Sequence, residues 1–234
     1  MKILAVDTSS RVLAIGIADA DKVSDYNVEV GTRLSSLLVP AIKRVVDSLG
    51  WQMKDIDFFA CGQGPGSFTG VRVGMSAVKA LAWSLEKPIA AVSSLDILAK
   101  NAAGVCDLII PVIDAKRGLI YTAIYTQNKG ALKRISQYLL LAPEELSAKV
   151  RKHLPARSKD KLLFLGDGLL YYKEKIKNSI EAADFLDRDH WLIQGRNIIA
   201  LAKENIKSGK LKTAFSVNPV YLYPKECQVR KIKK

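Results

Sequence analysis

The first thirty residues alternate between apolar and polar positions in the way that short β-strands do. Three such runs, Lys2 to Asp7, Val12 to Asp19 and Lys22 to Val30, are separated by short polar turns. Period-two alternation interrupted by turn residues is typical of antiparallel strands that follow one another as a meander. The chain is therefore predicted to begin with a three-stranded meander whose first turn spans residues 7–10.

A helical pattern follows the meander. Apolar residues recur with the i, i+3, i+4, i+7 spacing of one helix face, and Gly50 is placed to end the helix. The residues of this stripe are Leu34, Leu37, Leu38, Ala41, Ile42, Val45, Val46 and Leu49. The pattern predicts an amphipathic helix over 34–49.

A second predicted helix, Val71 to Leu85, is apolar on two sides. One stripe consists of large apolar residues together with Gly74 and Ala82, and the other consists of smaller side chains with Trp83 beside them. The second stripe contains Val73, Ala77, Ala80 and Ser84. A helix that is apolar on more than one side is either deeply buried or faces a partner, and the spacing alone allows both.

A glycine-rich loop, residues 62–74, joins the predicted strand Ile56–Cys61 to this second helix and holds five of the fifteen glycines. Such a loop brings backbone amides close to an anion or to another chain segment. It lacks the Walker lysine, and Thr69 stands where the dinucleotide-binding pattern needs its third glycine. A tight turn in which Ser67 or Thr69 caps the helix is the simpler alternative. The loop residues singled out are Gly62, Gly64, Pro65, Gly66, Ser67, Phe68, Thr69, Gly70, Arg72 and Gly74.

The sequence pattern of the opening meander is weakly repeated later in the chain. Ala5-Val6-Asp7 corresponds to Val112-Ile113-Asp114, and the residue numbers of the two copies differ by 107 throughout. The segment from Lys129 to Leu141 is placed to supply the third strand of the second copy. Such a repeat predicts two related lobes with a boundary near residues 101–107.

Composition restricts the class of protein. The apolar content of 49% is enough for a core, and no uninterrupted apolar run approaches the length of about 20 residues that a membrane span requires. Three widely spaced cysteines suggest reduced thiols in a cytoplasmic protein. The net charge of +13 allows contact with nucleic acid, but the excess is spread out and is densest in the tail, so a plain basic surface is the alternative.

The segments KILAVDTSS, GQGPGSFTGVRVG and PVIDAKRGLIYTAIY together resemble the TsaB (YeaZ) family of tRNA threonylcarbamoyladenosine biosynthesis proteins. The resemblance implies an α/β fold of two RNase H-like lobes of the actin-like ATPase (ASKHA) superfamily, with mixed sheets flanked by helices. The lobes are expected over 1–103 and 104–234, with the C-terminal segment packing back on the first lobe.

The resemblance also implies a function. The chain would be a non-catalytic scaffold that pairs with a TsaD-like transferase, is joined by a TsaE-like P-loop ATPase, and contacts tRNA through the complex. ATP and a metal are implied for those partners, and none is expected in this chain. Alone, the chain would form a homodimer. The interface expected for either pair contains Leu38, Ile42, Val73, Ala77, Ala80, Trp83 and Ser84.

Three other functions are alternatives to this scaffold role. An independent ATPase or small-molecule kinase of this fold would need a phosphate-binding turn, but the turn of Asp7, Thr8 and Ser9 contains no glycine. A tRNA-binding module acting alone is the second alternative. Proteolysis is disfavoured because neither His153 nor His190 lies in a catalytic or metal-binding pattern, and no metal site is predicted.

Overall fold

The computed structural model describes residues 1–106, 108–128, 131–153 and 162–224. It contains two α/β lobes, each built on a mixed sheet that is flanked by helices, as expected. No helix among these residues is long and apolar enough to cross a bilayer.

The first lobe contains five strands and three helices. The predicted meander is confirmed, and the glycine loop joins the fourth strand to the second helix. In chain order the elements are β1 (Lys2–Asp7), β2 (Val12–Asp19), β3 (Lys22–Glu29), α1 (Leu34–Ser48), β4 (Phe58–Gly62), α2 (Phe68–Ser84), β5 (Ile89–Val92) and α3 (Ser94–Ala99).

The second lobe contains seven strands and the remaining helices of the described residues. Its elements are β6 (Leu108–Lys116), β7 (Leu119–Thr122), β8 (Tyr125–Asn128), β9 (Ala131–Arg134), β10 (Leu139–Leu141), α4 (Leu146–Arg151), β11 (Leu162–Leu165), α5 (Leu169–Ser179), β12 (Ala183–Phe185) and α6 (Gly195–Lys207).

The two sheets share one topology. The first has the strand order β3-β2-β1-β4-β5, and the main path of the second has the order β10-β7-β6-β11-β12. In the first sheet β1, β2 and β3 are antiparallel neighbours, and β4 is parallel to β1. In the second sheet β6, β7 and β10 are antiparallel neighbours, and β11 is parallel to β6. The predicted repeat therefore corresponds to equivalent strands. Its third strand is β10, and β8 and β9 form an added hairpin; Lys129 lies outside the described residues.

The first sheet is covered on both faces because its strands alternate apolar side chains. Leu4 and Val6 of β1 face α1 and α2, whereas Ile3 and Ala5 face α6. Full burial of a valine, leucine or isoleucine side chain contributes roughly 1.5–3 kcal/mol to the free energy of unfolding. The first lobe therefore has two core layers, one on each face of the sheet.

The C-terminal part of the chain returns to the first lobe. Helix α6 lies across β1 and β2, and Gly195 approaches Gly16 so closely that a Cβ on either would overlap the other backbone. Farther along, Lys212 forms two backbone hydrogen bonds of 2.8 Å with Ile89. The segment then reaches the glycine loop, where the Val220 amide donates to the Gln63 carbonyl oxygen at 2.7 Å.

Candidate functional site at the glycine loop and the cleft between the lobes

The glycine loop runs from the end of β4 into α2. Ser67 is the N-cap of α2, and its hydroxyl accepts a 3.2 Å hydrogen bond from the Gly70 amide, so the predicted capping role of Ser67 is confirmed. The peptide bond between Gly64 and Pro65 is cis.

Four glycines of this loop lie directly against the turn after β1. A Cβ atom built on any of them would come within 3.0 Å of that turn, a separation that real Cβ atoms essentially never show. The glycines are therefore required by the close approach of two segments of the same chain. The four pairs are Gly62 with Asp7, Gly66 with Ser9, Gly70 with Thr8, and Gly74 with Thr8.

Hydrogen bonds hold the turn in this position. One carboxylate oxygen of Asp7 accepts from the Ser9 amide at 2.8 Å and from the Ser9 hydroxyl at 2.7 Å. The other oxygen accepts from the Ser94 hydroxyl at 3.1 Å. The Ser67 amide donates to the Ser9 carbonyl oxygen at 2.7 Å. The Asp7 carboxylate and the amide, hydroxyl and carbonyl groups of Ser9 are thus bonded to the protein itself.

Asp7 is an unusual carboxyl group because it is fully buried in this arrangement. Burial raises its pKa above the ordinary value, while the hydrogen bonds from Ser9 and Ser94 act in the opposite direction. Asp7, Thr8 and Ser9 are each less than 5% exposed. The Ser9 amide is thus bonded to Asp7, and the glycine loop lies directly against the turn.

The equivalent turn of the second lobe is more exposed. Asp114 accepts a 2.6 Å hydrogen bond from the Lys116 ammonium group, and its backbone amide lies 3.4 Å from a carboxylate oxygen of Asp167. Burial raises the pKa of Asp167, and the nearby charge of Asp114 raises it further. Lys116 and Arg117 both have positive φ, which is uncommon outside glycine.

An open cleft of about 840 Å³ separates the two turns. Its walls combine basic side chains with aromatic rings, and the sequence analysis missed this combination. The basic lining residues are Arg11, Lys116 and Arg117. At the edge of the cleft, the Arg72 guanidinium lies 3.7 Å from the ring centre of the lining residue Phe68 and donates a 2.7 Å hydrogen bond to the hydroxyl of the lining residue Tyr221. Across the cleft, the Lys116 ammonium lies 5.6 Å from the Tyr171 ring centre.

Among the described residues, no group of three or more His, Cys, Asp and Glu side chains is arranged to hold a metal ion. His153 instead makes a 3.0 Å contact between its Nδ1 and the carbonyl oxygen of Lys149 in α4.

Comparisons with known proteins agree with the resemblance in sequence. Residues 29–217 match the family model described as "TsaD: tRNA N6-adenosine threonylcarbamoyltransferase". The tRNA threonylcarbamoyladenosine biosynthesis protein TsaB of Bacillus subtilis is 35% identical over 189 residues, which is 80% of each chain. The chain belongs to the TsaB family. The TsaB protein of Escherichia coli is 29% identical over 134 residues, covering 56% of this chain and 58% of that one.

A solved structure supports the same family assignment. YeaZ from Pseudomonas aeruginosa superposes with a TM-score of 0.83 at 26% identity, over 94% of this chain and 99% of that chain. The fold of this TsaB-family chain is therefore shared along nearly its whole length.

The outer face of α2 is the remaining candidate surface. Trp83 is 65% exposed, and beside it lies Phe215, which is 79% exposed, with 6.4 Å between the ring centres. Ala80 and Ser84 are also exposed, whereas Val73 and Ala77 are half-buried. Phe215 was not predicted, because it reaches α2 only through the returning C-terminal segment.

Two predicted interface residues need correction. Leu38 and Ile42 of α1 are each 1% exposed and belong to the core between α1 and the first sheet. Both lie on the apolar stripe of α1, but that stripe is the face that the sheet covers. A partner could reach them only if they left the core, so in this conformation they are wrong as contact residues.

Proposed function

We propose that this protein is a non-catalytic subunit of the machinery that forms N6-threonylcarbamoyladenosine next to the anticodon of tRNA, and that it pairs with a TsaD-like transferase. The names of its relatives support the process, since TsaB proteins are named for threonylcarbamoyladenosine biosynthesis. The matching family model carries the name of the transferase. This chain lacks the His-x-x-x-His pair of TsaD-like proteins, which favours the role of partner.

The observation that carries the non-catalytic role is the packing of the glycine loop on the Asp7–Ser10 turn. In an actin-like ATPase the corresponding turn presents its amides to phosphates. Here Asp7 and Ser9 bond to each other, and the Ser67 amide bonds to Ser9. The features that would bind phosphate instead stabilise the first lobe.

The outer face of α2 supports the pairing. A surface that combines small side chains with two exposed aromatic residues allows another helix to approach closely and offers anchors for it. We propose that the same face forms the homodimer when the chain is alone. A TsaE-like ATPase would join the pair, tRNA would contact the complex, and ATP and a metal would belong to the partner subunits. We propose a cytoplasmic location, which the cysteine pattern favours.

The experiment is reconstitution of tRNA modification from purified components. Omission of this chain should abolish threonylcarbamoyladenosine formation, and adding it back should restore it, as measured by nucleoside mass spectrometry. The Asp7→Asn variant should restore formation as well as the wild type, because Asp7 has no chemical role in the proposal. Loss of formation with a folded Asp7→Asn variant that still pairs would overturn the scaffold role.

An independent ATPase is the alternative that the open cleft favours. Phosphate release by the isolated chain distinguishes the two. The scaffold proposal expects no release above background, and an Asp7→Ala variant should behave identically. A robust rate that Asp7→Ala abolishes would establish the enzyme instead.

A further inference from the structure

Three pairs of cationic and aromatic side chains surround the cleft between the lobes. Arg72 stacks on Phe68, Lys116 lies over Tyr171, and in the third pair the Arg117 guanidinium is 6.0 Å from the Tyr223 ring centre. Tyr221 extends the first pair, since its ring centre is 5.6 Å from that of Phe68. The pairs come from both lobes and from the returning C-terminal segment, so only the folded chain brings them together.

Three of the rings around the cleft are exposed. Tyr171 is 64% exposed, Phe68 is 48% exposed and Tyr221 is 40% exposed. Large aromatic side chains that cluster at the surface around one concavity are characteristic of a binding site. Each ring offers a flat π face, and each is accompanied by a cation.

The cleft is lined by the basic residues Arg11, Lys116 and Arg117 and by the carboxyl groups of Asp114 and Asp167, so its positive charge is only partly neutralised. Arg11 lies 3.6 Å from Glu29, and Lys116 is paired with Asp114. No carboxylate of the described residues lies within 4.0 Å of Arg72 or Arg117, so these two guanidinium groups keep their positive charge available to an anion. A ligand with flat rings and negative charges at repeated intervals would match both features.

We propose that this cleft binds a segment of single-stranded RNA, with unpaired bases stacking on the exposed rings and phosphates contacting Arg72 and Arg117. Stacking platforms joined to a basic groove are the chemistry by which proteins hold single strands. A mononucleotide shares this chemistry, but it would engage few of the rings and cations at once, and the Ser9 amide beside the cleft is already bonded to Asp7. A strand instead gains affinity from several weak contacts along its length. The inference rests on the proposed function, because it assigns the RNA contact of the complex to a surface.

Fluorescence anisotropy of the full chain with a labelled single-stranded RNA of about 12 nucleotides tests the proposal. Two variants from the second lobe, Tyr171→Ala and Arg117→Ala, remove one ring and one charge from the cleft without changing the outer face of α2. Tyr26→Ala is the control for loss of an exposed ring, because Tyr26 is 39% exposed on β3. Arg151→Ala on α4 is the control for loss of one charge.

Tyr171→Ala should lower affinity about tenfold with little change in the salt dependence, because stacking is not ionic. Arg117→Ala should lower affinity and also make the slope of log affinity against log salt shallower by about 0.7, the value for one phosphate contact on a single strand. Both controls should bind as the wild type does. An RNA duplex of the same sequence should bind more weakly, since its bases are already stacked.

Three outcomes would overturn the inference: no binding at low salt with or without the TsaD-like partner, equal loss in the control variants, or binding of ATP that competes fully with RNA and is lost in Tyr171→Ala. Pairing with the TsaD-like protein is measured separately by co-purification. If Tyr171→Ala and Arg117→Ala pair normally and bind RNA as tightly as the wild type, the cleft proposal is refuted and the proposed function is not. If the two variants lose RNA affinity but the wild-type chain does not pair with the TsaD-like protein, the proposed function is refuted and the cleft proposal is not.

Discussion

The hydroxyl group of Thr8 donates a 2.7 Å hydrogen bond to the backbone carbonyl oxygen of Gly70, 62 residues away along the chain. This bond joins the first turn of the protein to the first turn of α2. The Thr8 carbonyl oxygen also lies where a Cβ on residue 70 would stand. The spacing of the glycines is therefore explained by a contact inside the first lobe.

Gly70→Ala is expected to destabilise the protein. Alanine is a better helix former than glycine by about 1 kcal/mol, so helix propensity alone would stabilise α2. The new methyl group would overlap the Thr8 backbone, however, and overpacking of this kind costs about 1–3 kcal/mol or more. The net change in the free energy of unfolding, measured with urea, should be a loss. Ser76→Ala on the exposed side of α2 is the control, and a stabilised Gly70→Ala protein would contradict the packing.

Gly74→Ala tests the same contact through a side chain, because its methyl group would meet the Thr8 hydroxyl. Thr8→Ala removes that obstacle. In a double-mutant cycle, Thr8→Ala should therefore cost less stability in the Gly74→Ala background than in the wild type, by about 0.5–3 kcal/mol. Additive effects would mean that the two residues do not interact.

Asp7→Asn tests the buried carboxyl group. Burial raises the pKa of Asp7 in the folded state above its value in the unfolded chain, so between those two pKa values the folded state binds more protons. Stability contributed by Asp7 is consequently lost as the pH rises through that interval. The free energy of unfolding of the wild type minus that of Asp7→Asn should fall with rising pH there. Asp21→Asn on an exposed turn is the control, and a difference that rises with pH would refute the burial effect.

The sequence predicted the elements better than their contacts. The meander, α1, α2 and the capping role of Ser67 follow from local alternation, helical spacing and cap chemistry. Leu38 and Ile42 were misassigned, although their spacing of four residues from each other and from Val46 already marks one face of α1. The spacing does not say which face meets the sheet, because that depends on strands outside the helix.

The cleft was not predictable for a related reason. Arg72 and Tyr221 are 149 residues apart along the chain. No local pattern of charge or aromatic residues joins them, and the basic residues are spread along the sequence. Only the return of the C-terminal segment to the first lobe brings a tyrosine to the start of α2.

Thr122→Val is expected to leave the protein equally stable or to stabilise it. Thr122 of β7 is 0% exposed, and among the described residues its hydroxyl has no hydrogen-bond partner. A buried polar group without a partner costs about 1–3 kcal/mol, and valine has nearly the same shape. Thermal unfolding should show an unchanged or raised Tm. A clear decrease would show that the hydroxyl is bonded in solution.

Ala80→Arg is expected to prevent pairing through α2. Ala80 is exposed beside Trp83, so the monomer can accommodate arginine, whereas a desolvated interface would bury its charge without a partner. Sedimentation should show a shift from dimer to monomer, and co-purification with the TsaD-like protein should fail. Ala148→Arg, also exposed but on α4, should pair normally. Phe215→Ser should weaken pairing if the aromatic pair with Trp83 is an anchor; tight pairing of the Ala80→Arg protein would place the interface elsewhere.

Deletion of residues 225–234, which lie outside the described residues, distinguishes the contribution of the basic tail to RNA binding from that of the cleft. The tail carries five lysine and arginine residues, and a basic cluster of this kind contacts phosphates without reading bases. We expect weak tRNA binding by the chain alone and tighter binding by the complex. In filter binding across a salt series, the deletion should weaken affinity and make the slope of log affinity against log salt shallower by roughly 0.7–0.9 for each phosphate that the tail neutralises in the full chain. The order of preference among tRNAs should not change, since stacking in the cleft is retained. Tight binding of one tRNA at physiological salt by the isolated chain would instead favour an RNA-binding module that acts without a partner.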